Sequence, residues 1–235
     1  MKQHIFCTKD ENFVLRDWGG YLCFLGTEDS VASKAFGVTA IVRMDRLIHD
    51  PHVHDDSDEI FYVLSGQGRQ LLRSADGQDQ VYDIRPGDTV YLTKNRWHGT
   101  SNFSSEEQLD MLLINYFYQG QSDPNITGVI PAGSVAPTET PYGSCAAVIT
   151  DKTCGVAGIV GEVLTLLPGR TLEGTVDGDE AFVFSVSSDL LIRINGSSQA
   201  ESLPRRAQAF FFQGESYRIE NPTAQPAQLF RLYTR

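Results

Sequence analysis

The sequence lacks long apolar segments and contains little cysteine, and both shortages narrow the possible classes of protein. No segment approaches ~18 uninterrupted apolar residues, so no membrane-spanning helix is expected. The N-terminal ten residues meet charge early and hold no long apolar core, which argues against a signal peptide. Cys7, Cys23, Cys145 and Cys154 are scattered and form no C-x-x-C pair. They predict reduced thiols in a cytoplasmic protein rather than a disulfide framework.

Basic residues are also outnumbered, and this disfavours one class of partner. The chain has 19 lysines and arginines against 30 aspartates and glutamates, which gives a formal net charge of −11. Phosphate backbones would be repelled overall, so a nucleic-acid partner is not expected. The charge itself is typical of a soluble surface. A length of 235 residues allows one large β domain or two smaller domains.

Helical periodicity is scarce as well. Short apolar runs, most of them β-branched or aromatic, are separated by turn residues, and the chain has 21 glycines. Runs of this length are too short for ordinary helices and are typical of strands. The clearest examples are residues 37–42, 60–64, 88–92 and 109–118. The pattern predicts a mainly β protein, built as a sandwich or a barrel.

The composition changes in the middle of the chain. Residues 120–143 are rich in proline, glycine, threonine and serine, which predicts an extended connection. Three features before this connection recur in the same order about 120 residues later. The pairs are residues 34–41 with 152–159, residues 58–63 with 179–184, and Asn102 with Asn221. An internal duplication therefore predicts two related β domains, residues 1–120 and 146–235, joined by a linker at 121–145.

The densest group of potential metal ligands lies in residues 51–66. His52 and His54 stand two residues apart, and Glu59 follows five residues after the second histidine. Side chains alternate along a strand, so the two imidazoles would point the same way, roughly 7 Å apart along the chain. The acidic segment 55–58 can turn the chain back and bring Glu59 into a neighbouring strand. Three potential ligands on one wall of a sheet favour a metal site if a fourth arrives from elsewhere.

A fourth candidate ligand lies in residues 84–102. Pro86, Gly87 and Asp88 form a turn signal, because proline fixes φ and glycine tolerates the left-handed region. An apolar run follows, and after a second turn His98 begins another predicted strand. The sequence thus offers a complete set of three histidines and one glutamate.

The two segments together resemble the two signature motifs of the cupin superfamily. The first motif, H-x-H-x4-E-x6-G, is met by His52, His54, Glu59 and Gly66, and the second, a P-G-D turn followed by H-x3-N, by Pro86, Gly87, Asp88, His98 and Asn102. The glycine that often precedes the first histidines is absent from residues 39–51. With the internal duplication, the whole chain resembles a bicupin, an all-β protein of two tandem jelly-roll β-barrels.

The resemblance implies that His52, His54, Glu59 and His98 bind one divalent metal inside the N-terminal barrel. Imidazole and carboxylate ligands suit iron, manganese, nickel, cobalt or zinc, and the sequence does not decide among them. No histidine follows residue 98. The C-terminal barrel is therefore expected to lack such a metal and to support the first barrel, or to offer a second ligand pocket or a dimer surface.

Four further residues are candidates for contact with a substrate. Phe61 shares the strand parity of the predicted glutamate ligand, and Thr100 and Asn102 share that of the last histidine. Arg43 lies on an early predicted strand and would bind a substrate carboxylate if it pointed inward. His49 belongs to no motif and is expected in a loop.

Two hypotheses of function from different classes follow from the resemblance. The first is a metal-dependent enzyme whose small-molecule substrate chelates the metal, with a dioxygenase-like reaction first and isomerisation or decarboxylation as alternatives. The second is a non-catalytic module that binds or senses a small molecule. The resemblance also implies a homodimer, and neither a membrane nor a nucleic acid is expected as a partner.

Overall fold

The computed structural model describes residues 3–25, 33–45, 48–74, 76–104, 107–117 and 128–235. These residues form 22 β-strands, one 3-10 helix (Asp10–Asn12) and one short α-helix, α1 (Asp151–Cys154). The prediction of an all-β protein is confirmed. Within this part of the chain, no helix is long and apolar enough to cross a membrane.

The chain divides into two compact units. The N-terminal unit consists of residues 8–134 and 151–155, and the C-terminal unit of residues 1–7, 135–150 and 156–235. The bounds 1–120, 121–145 and 146–235 drawn from the sequence remain a prediction. Within the predicted connection, residues 118–127 lie outside the described residues.

The N-terminal unit contains two antiparallel sheets. One has seven strands in the order β12-β9-β6-β11-β4-β3-β2, and the other has four in the order β5-β10-β7-β8. The strands are β2 (Val14–Arg16), β3 (Gly19–Leu25), β4 (Phe36–Met44), β5 (Ile48–His52), β6 (Asp58–Ser65), β7 (Gly68–Arg73), β8 (Asp79–Ile84), β9 (Thr89–Leu92), β10 (His98–Asn102), β11 (Leu109–Tyr116) and β12 (Val129–Ile130).

The C-terminal unit repeats this architecture. Its seven-stranded sheet has the order β1-β20-β17-β22-β15-β14-β13, and its four-stranded sheet the order β16-β21-β18-β19. The strands are β1 (Ile5–Phe6), β13 (Thr138–Thr140), β14 (Gly143–Ile149), β15 (Ile159–Leu166), β16 (Thr171–Thr175), β17 (Glu180–Ser185), β18 (Leu190–Ile194), β19 (Glu201–Leu203), β20 (Gln208–Phe212), β21 (Ser216–Glu220) and β22 (Ala227–Thr234). The first strand of the chain, β1, thus belongs to this second unit.

Each unit buries its core between its two sheets. In the N-terminal unit, Phe61 of β6 and Met111 of β11 pack in one cluster with Leu72 of β7 and Ile84 of β8. These residues come from both sheets, because alternate side chains of each strand point to the shared interior. The ends of this packed interior are where the candidate site lies.

Two asparagines show the internal repeat in its hydrogen bonds. Each side-chain amide nitrogen donates to the last carbonyl of a core strand and to a carbonyl four or five residues downstream, and each side-chain oxygen accepts a backbone N–H two residues downstream. The bonds join Asn102 to Met44, Ser104 and Glu107, and Asn221 to Leu166, Thr223 and Gln225, at 2.8–3.0 Å. Both asparagines fix the corner that follows a strand of the smaller sheet.

Removal of the second of these corners should destabilise the protein. Asn221 is fully buried, so Asn221→Ala leaves buried backbone groups without their partners. We expect a loss of about 2–4 kcal/mol in the free energy of unfolding, measured by urea titration. Ser198→Ala, at an exposed loop position, serves as the control and should change little. Equal stability of the two variants would contradict the prediction.

Candidate metal centre

Three histidines and one glutamate converge between the two sheets of the N-terminal unit. His52 ends β5, His98 begins β10, and these two residues lie opposite each other in the antiparallel pair. His54 follows two residues after the end of β5. Glu59 lies in β6, which belongs to the seven-stranded sheet. The prediction that Glu59 lies in a neighbouring strand, on the same wall of one sheet as the two histidines, is therefore wrong, because residues 53–57 carry the chain from one sheet to the other.

The donor atoms of the four side chains share a small volume. The Nε2 atoms of His52 and His54 are 3.1 Å apart, and one ligand nitrogen from each of the three histidines lies within 4.8 Å of the others. The Glu59 carboxylate reaches the same place, with Oε2 3.1 Å from His98 Nε2 and Oε1 3.6 Å from His54 Nε2. The sequence-predicted ligands are thus brought together in one cluster.

Backbone carbonyls set the tautomers of two of these histidines. His52 Nδ1 lies 2.8 Å from the Asp50 carbonyl oxygen, and His98 Nδ1 lies 2.8 Å from the Arg96 carbonyl oxygen. Because a carbonyl only accepts, each Nδ1 carries the hydrogen and each Nε2 presents a lone pair to the cluster. The buried Nε2 of His98 has no hydrogen-bond partner among the described residues. Lone pairs that face one another and a carboxylate are a donor set suited to a cation.

The local electrostatics lower the pKa of Glu59 and of His52. Burial alone would raise the pKa of Glu59, but the close approach of His98 and the attraction of the nearby His54 and His52 lower it below its ordinary value. Burial, together with His98 and His54, lowers the pKa of His52. Both shifts favour the forms that bind a divalent metal, an ionised carboxylate and a neutral imidazole.

Asp58 anchors the strand that carries the glutamate. Its carboxylate accepts a hydrogen bond from the Tyr91 hydroxyl at 2.5 Å and another from the Lys94 backbone N–H at 2.7 Å. Tyr91 and Asp58 are both fully buried. These bonds fix the first residue of β6, so Glu59, the second residue, is presented to the histidines at a defined place.

A small cavity of about 140 Å³ adjoins the cluster. Its lining shares Glu59 with the cluster and is otherwise mostly apolar. The remaining lining residues are Trp18, Tyr21, Val42, Met44, His49, Phe61, Thr100, Met111 and Leu113. The cavity therefore has room for a compact molecule with an apolar part beside the ligand set.

His49 lines this cavity, and sequence reasoning missed it. It lies in β5 rather than in a loop, and its ring contacts Trp18 and His52 edge-on, with centroids 4.7 and 4.4 Å away. The pairing of β5 with β10 shifts register between His98 and Thr100. Such a bulge changes which face a side chain takes, so strand parity alone could not place His49.

The four candidates for substrate contact fall into two groups. Phe61 and Thr100 line the cavity, and the Thr100 hydroxyl donates to Gln70. Arg43 instead pairs with Asp110 at 3.1 Å, and Asn102 binds backbone carbonyls. Val42 and Met44 line the cavity, so alternation turns Arg43 to the other face. Contact of any of these side chains with a substrate stays a prediction.

Comparison with known proteins gives one family match and many structural matches. A family model described as Cupin domain matches residues 45–115, which include all four residues of the cluster. No curated protein sequence matches the chain.

Several solved structures share the architecture of the whole chain. Lactobacillus farciminis oxalate decarboxylase in complex with formate superposes with a TM-score of 0.81 at 11% identity, covering 100% of this chain and 87% of that chain. A tryptophan-to-tyrosine variant of Bacillus subtilis oxalate decarboxylase gives a TM-score of 0.77 at 13% identity, covering 99% and 77%. Another structure of the Bacillus subtilis enzyme, described with Mn(II) centres, gives 0.76 at 13% identity, also covering 99% and 77%.

The site should make the metal-free protein sensitive to mild acid. Burial first, and then His52, lowers the pKa of His49 from 6.5 to about 4. Between these values the unfolded chain binds the proton first, so the free energy of unfolding falls as the pH decreases through this window. With a chelator present, His49→Gln should remove a part of that fall, on the order of 1–2 kcal/mol. Urea titrations of both proteins at about pH 7.5 and about pH 5 measure it. Parallel losses would contradict the prediction.

Proposed function

Because the chain has the bicupin fold, with a cupin domain at residues 45–115, we propose that its N-terminal unit is a divalent-metal-dependent decarboxylase of a small carboxylic acid. The observation that carries the proposal is the convergence of three imidazole nitrogens and the Glu59 carboxylate. One nitrogen from each of the three histidines lies within 4.8 Å of the others, as ligands of a single ion would. The substrate carboxylate is proposed to join this set.

His52, His54, Glu59 and His98 would hold the metal, and manganese, iron, nickel, cobalt and zinc all suit these ligands. When bound, a divalent metal supplies a Lewis acid that draws charge from the oxygens of a carboxylic acid. The chain supplies the rest. The carbonyls of Asp50 and Arg96 orient two of the imidazoles. The second-layer contacts thus keep the ligands ready before a metal or a substrate arrives.

The cavity walls support an apolar part in the substrate. Phe61 and Met111 form part of a lining that holds few polar groups. The low polarity of such a surface strengthens the electrostatic interaction between the ligand set and a bound acid. Loss of carbon dioxide leaves an electron pair on carbon, and one proton then takes the place of the carboxyl group. A dicarboxylate such as oxalate has no apolar group that could pack against these walls.

The choice of reaction rests on the structural comparisons. The sequence alone favours a dioxygenase-like reaction, with isomerisation and decarboxylation as alternatives. The similar structures are oxalate decarboxylases, which supports decarboxylation better than the first choice. At identities of 11–14% they support the reaction class and leave the substrate open. No feature of the site favours isomerisation separately.

The metal content of variants tests the ligand set. The purified protein should contain about one divalent metal per chain, measured by elemental analysis. His52→Ala and Glu59→Gln should each lower this value at least tenfold, because each removes a ligand. His4→Gln is the matched control, since His4 lies in the C-terminal unit and contacts Glu215. Full metal content in the two ligand variants would refute the assignment.

Gas exchange tests the reaction. With a short aliphatic 2-oxo acid, we expect carbon dioxide release without matching uptake of dioxygen, and no release by His52→Ala. An oxygen electrode and a carbon dioxide assay on the same sample measure both gases. Stoichiometric uptake of dioxygen would show the dioxygenase reaction instead. Saturable binding without any product would show a non-catalytic binding module.

Location and assembly are proposals as well. We propose a cytoplasmic homodimer, since all four cysteines are free thiols, as expected in a reducing compartment, and the family resemblance implies a dimer. Light scattering after size exclusion would decide the assembly, and a monomer at micromolar concentration would count against it.

A further inference from the structure

The C-terminal unit holds a polar cavity at the place that corresponds to the candidate metal centre. His98 lies opposite His52 in the smaller sheet of the N-terminal unit, and Tyr217 lies opposite Gly174 in the smaller sheet of the C-terminal unit. The structurally equivalent asparagine follows four residues after each of these residues, so Tyr217 takes the place of His98. A tyrosine and a glycine thus replace two of the predicted ligands.

The glycine makes room for the tyrosine ring. A Cβ atom on Gly174 would lie 2.4 Å from Cζ of Tyr217, which no real contact allows. Tyr217 also stacks on Phe211, with ring centroids 4.5 Å apart and planes at 20°. The phenol is therefore held by packing on both sides, with its hydroxyl group directed at Arg231.

A buried ion pair stands beside this tyrosine. Arg231 of β22 lies opposite Glu162 of β15, and both side chains are nearly buried, with 15% and 10% exposed. The Arg231 Nε donates to Glu162 Oε2 at 2.7 Å, Nη2 donates to the same oxygen, and Nη1 donates to the Tyr217 hydroxyl at 3.0 Å. The echo of Glu59 by Glu180 does not contribute, because Ala181 and Val183 face this core and Glu180 alternates to the other face.

The guanidinium keeps donors that these bonds do not use. An arginine side chain has five N–H donors in a planar fork, and three of those of Arg231 go to Glu162 and Tyr217. No further partner of the other two is found among the described residues. Arg231 also lines a cavity of about 510 Å³ together with Tyr217 and Tyr233. Two N–H groups of a nearly buried cation are thus left for a molecule in the cavity.

The chemistry of this cavity differs from that of a transition-metal site. The sequence has no histidine after residue 98. Burial raises the pKa of the nearby Cys145 thiol to about 11, so a thiolate is not available at neutral pH. Burial acts to lower the pKa of Arg231, but Tyr217 and Glu162 raise it above its ordinary value, so the guanidinium stays charged. The positive charge of this site is therefore the Arg231 side chain rather than a metal ion.

We propose that this cavity binds a small organic monocarboxylate through Arg231, with no metal. The flat fork of a guanidinium matches a carboxylate in a bidentate pair, and Glu162 and Tyr217 hold the fork in place. Arg231 and Arg235 are balanced by Asp177 at the cavity and by Glu162 behind it, so a single negative charge is easier to accept than two. A cavity of 510 Å³ leaves room for an aromatic or aliphatic group on the acid.

Binding of benzoate to the full-length protein tests the proposal. Saturation-transfer NMR and calorimetry should show saturable binding, and benzamide, the neutral molecule of the same shape, should bind at least tenfold more weakly. In His52→Ala, in which the proposed N-terminal metal site is disabled, saturable benzoate binding should remain, which separates this cavity from the N-terminal site. Inorganic phosphate at the same concentration should not displace benzoate.

Two variants place the binding in the cavity. The double variant Glu162→Gln with Arg231→Gln removes both charges together, so no lone charge stays buried, and should weaken benzoate binding at least tenfold. Thr175→Trp lies at an exposed position of the lining and narrows the cavity without changing the core, so it tests the site even if the double variant unfolds. Unchanged affinity in both variants, equal binding of benzamide, displacement by phosphate, or the absence of saturable benzoate binding would overturn the proposal.

Discussion

The hydrogen bonds from two histidine rings to the chain's own backbone determine what the N-terminal unit can bind. Asp50 and Arg96 each offer a carbonyl oxygen two residues before a histidine, and each fixes the proton on Nδ1. The opposite ring nitrogens are then obliged to face Glu59 and one another as lone pairs. The pairing of β5 with β10 brings the two rings together, and the anchored start of β6 brings the carboxylate from the other sheet.

The two units share one arrangement of strands but differ in the source of positive charge at the corresponding sites. In the N-terminal unit, three imidazoles and one carboxylate form the candidate site, and the proposed metal ion would supply the positive charge. In the C-terminal unit, the positive charge is the guanidinium group of Arg231, and hydrogen bonds to Glu162 and Tyr217 orient this group. Gly174 lies opposite Tyr217 as His52 lies opposite His98, and the absence of a side chain at Gly174 makes room for the larger ring. The same architecture thus holds a candidate metal centre in one unit and an arginine–glutamate ion pair in the other.

Local spacing in the sequence predicted the strands, and the resemblance to the cupin motifs predicted the four clustered side chains. His52, His54, Glu59 and His98 are close in sequence to turns whose chemistry is readable, so their convergence could be anticipated. The sheet to which Glu59 belongs could not be predicted, because the point at which the chain crosses between the two sheets depends on the packing of the whole core. The face of β5 to which the His49 side chain points depends on a bulge in the strand pairing, and such a bulge leaves no local signal in the sequence. The ion pair between Glu162 and Arg231 joins residues far apart in sequence, and only the register of β15 with β22 brings them together.

The first strand, β1, completes a sheet of the C-terminal unit although it precedes the N-terminal unit in the sequence. β1 pairs with β20 of the C-terminal unit, whereas β12, which lies beyond the first core, pairs with β9 of the N-terminal unit. Neither unit is therefore a continuous piece of the polypeptide. A cleavage near residue 134 would leave the second half without its outermost strand, and β20 would present an unpaired backbone edge of the kind that templates aggregation. β20 thus takes its outer partner from a strand that precedes the whole N-terminal unit in the sequence.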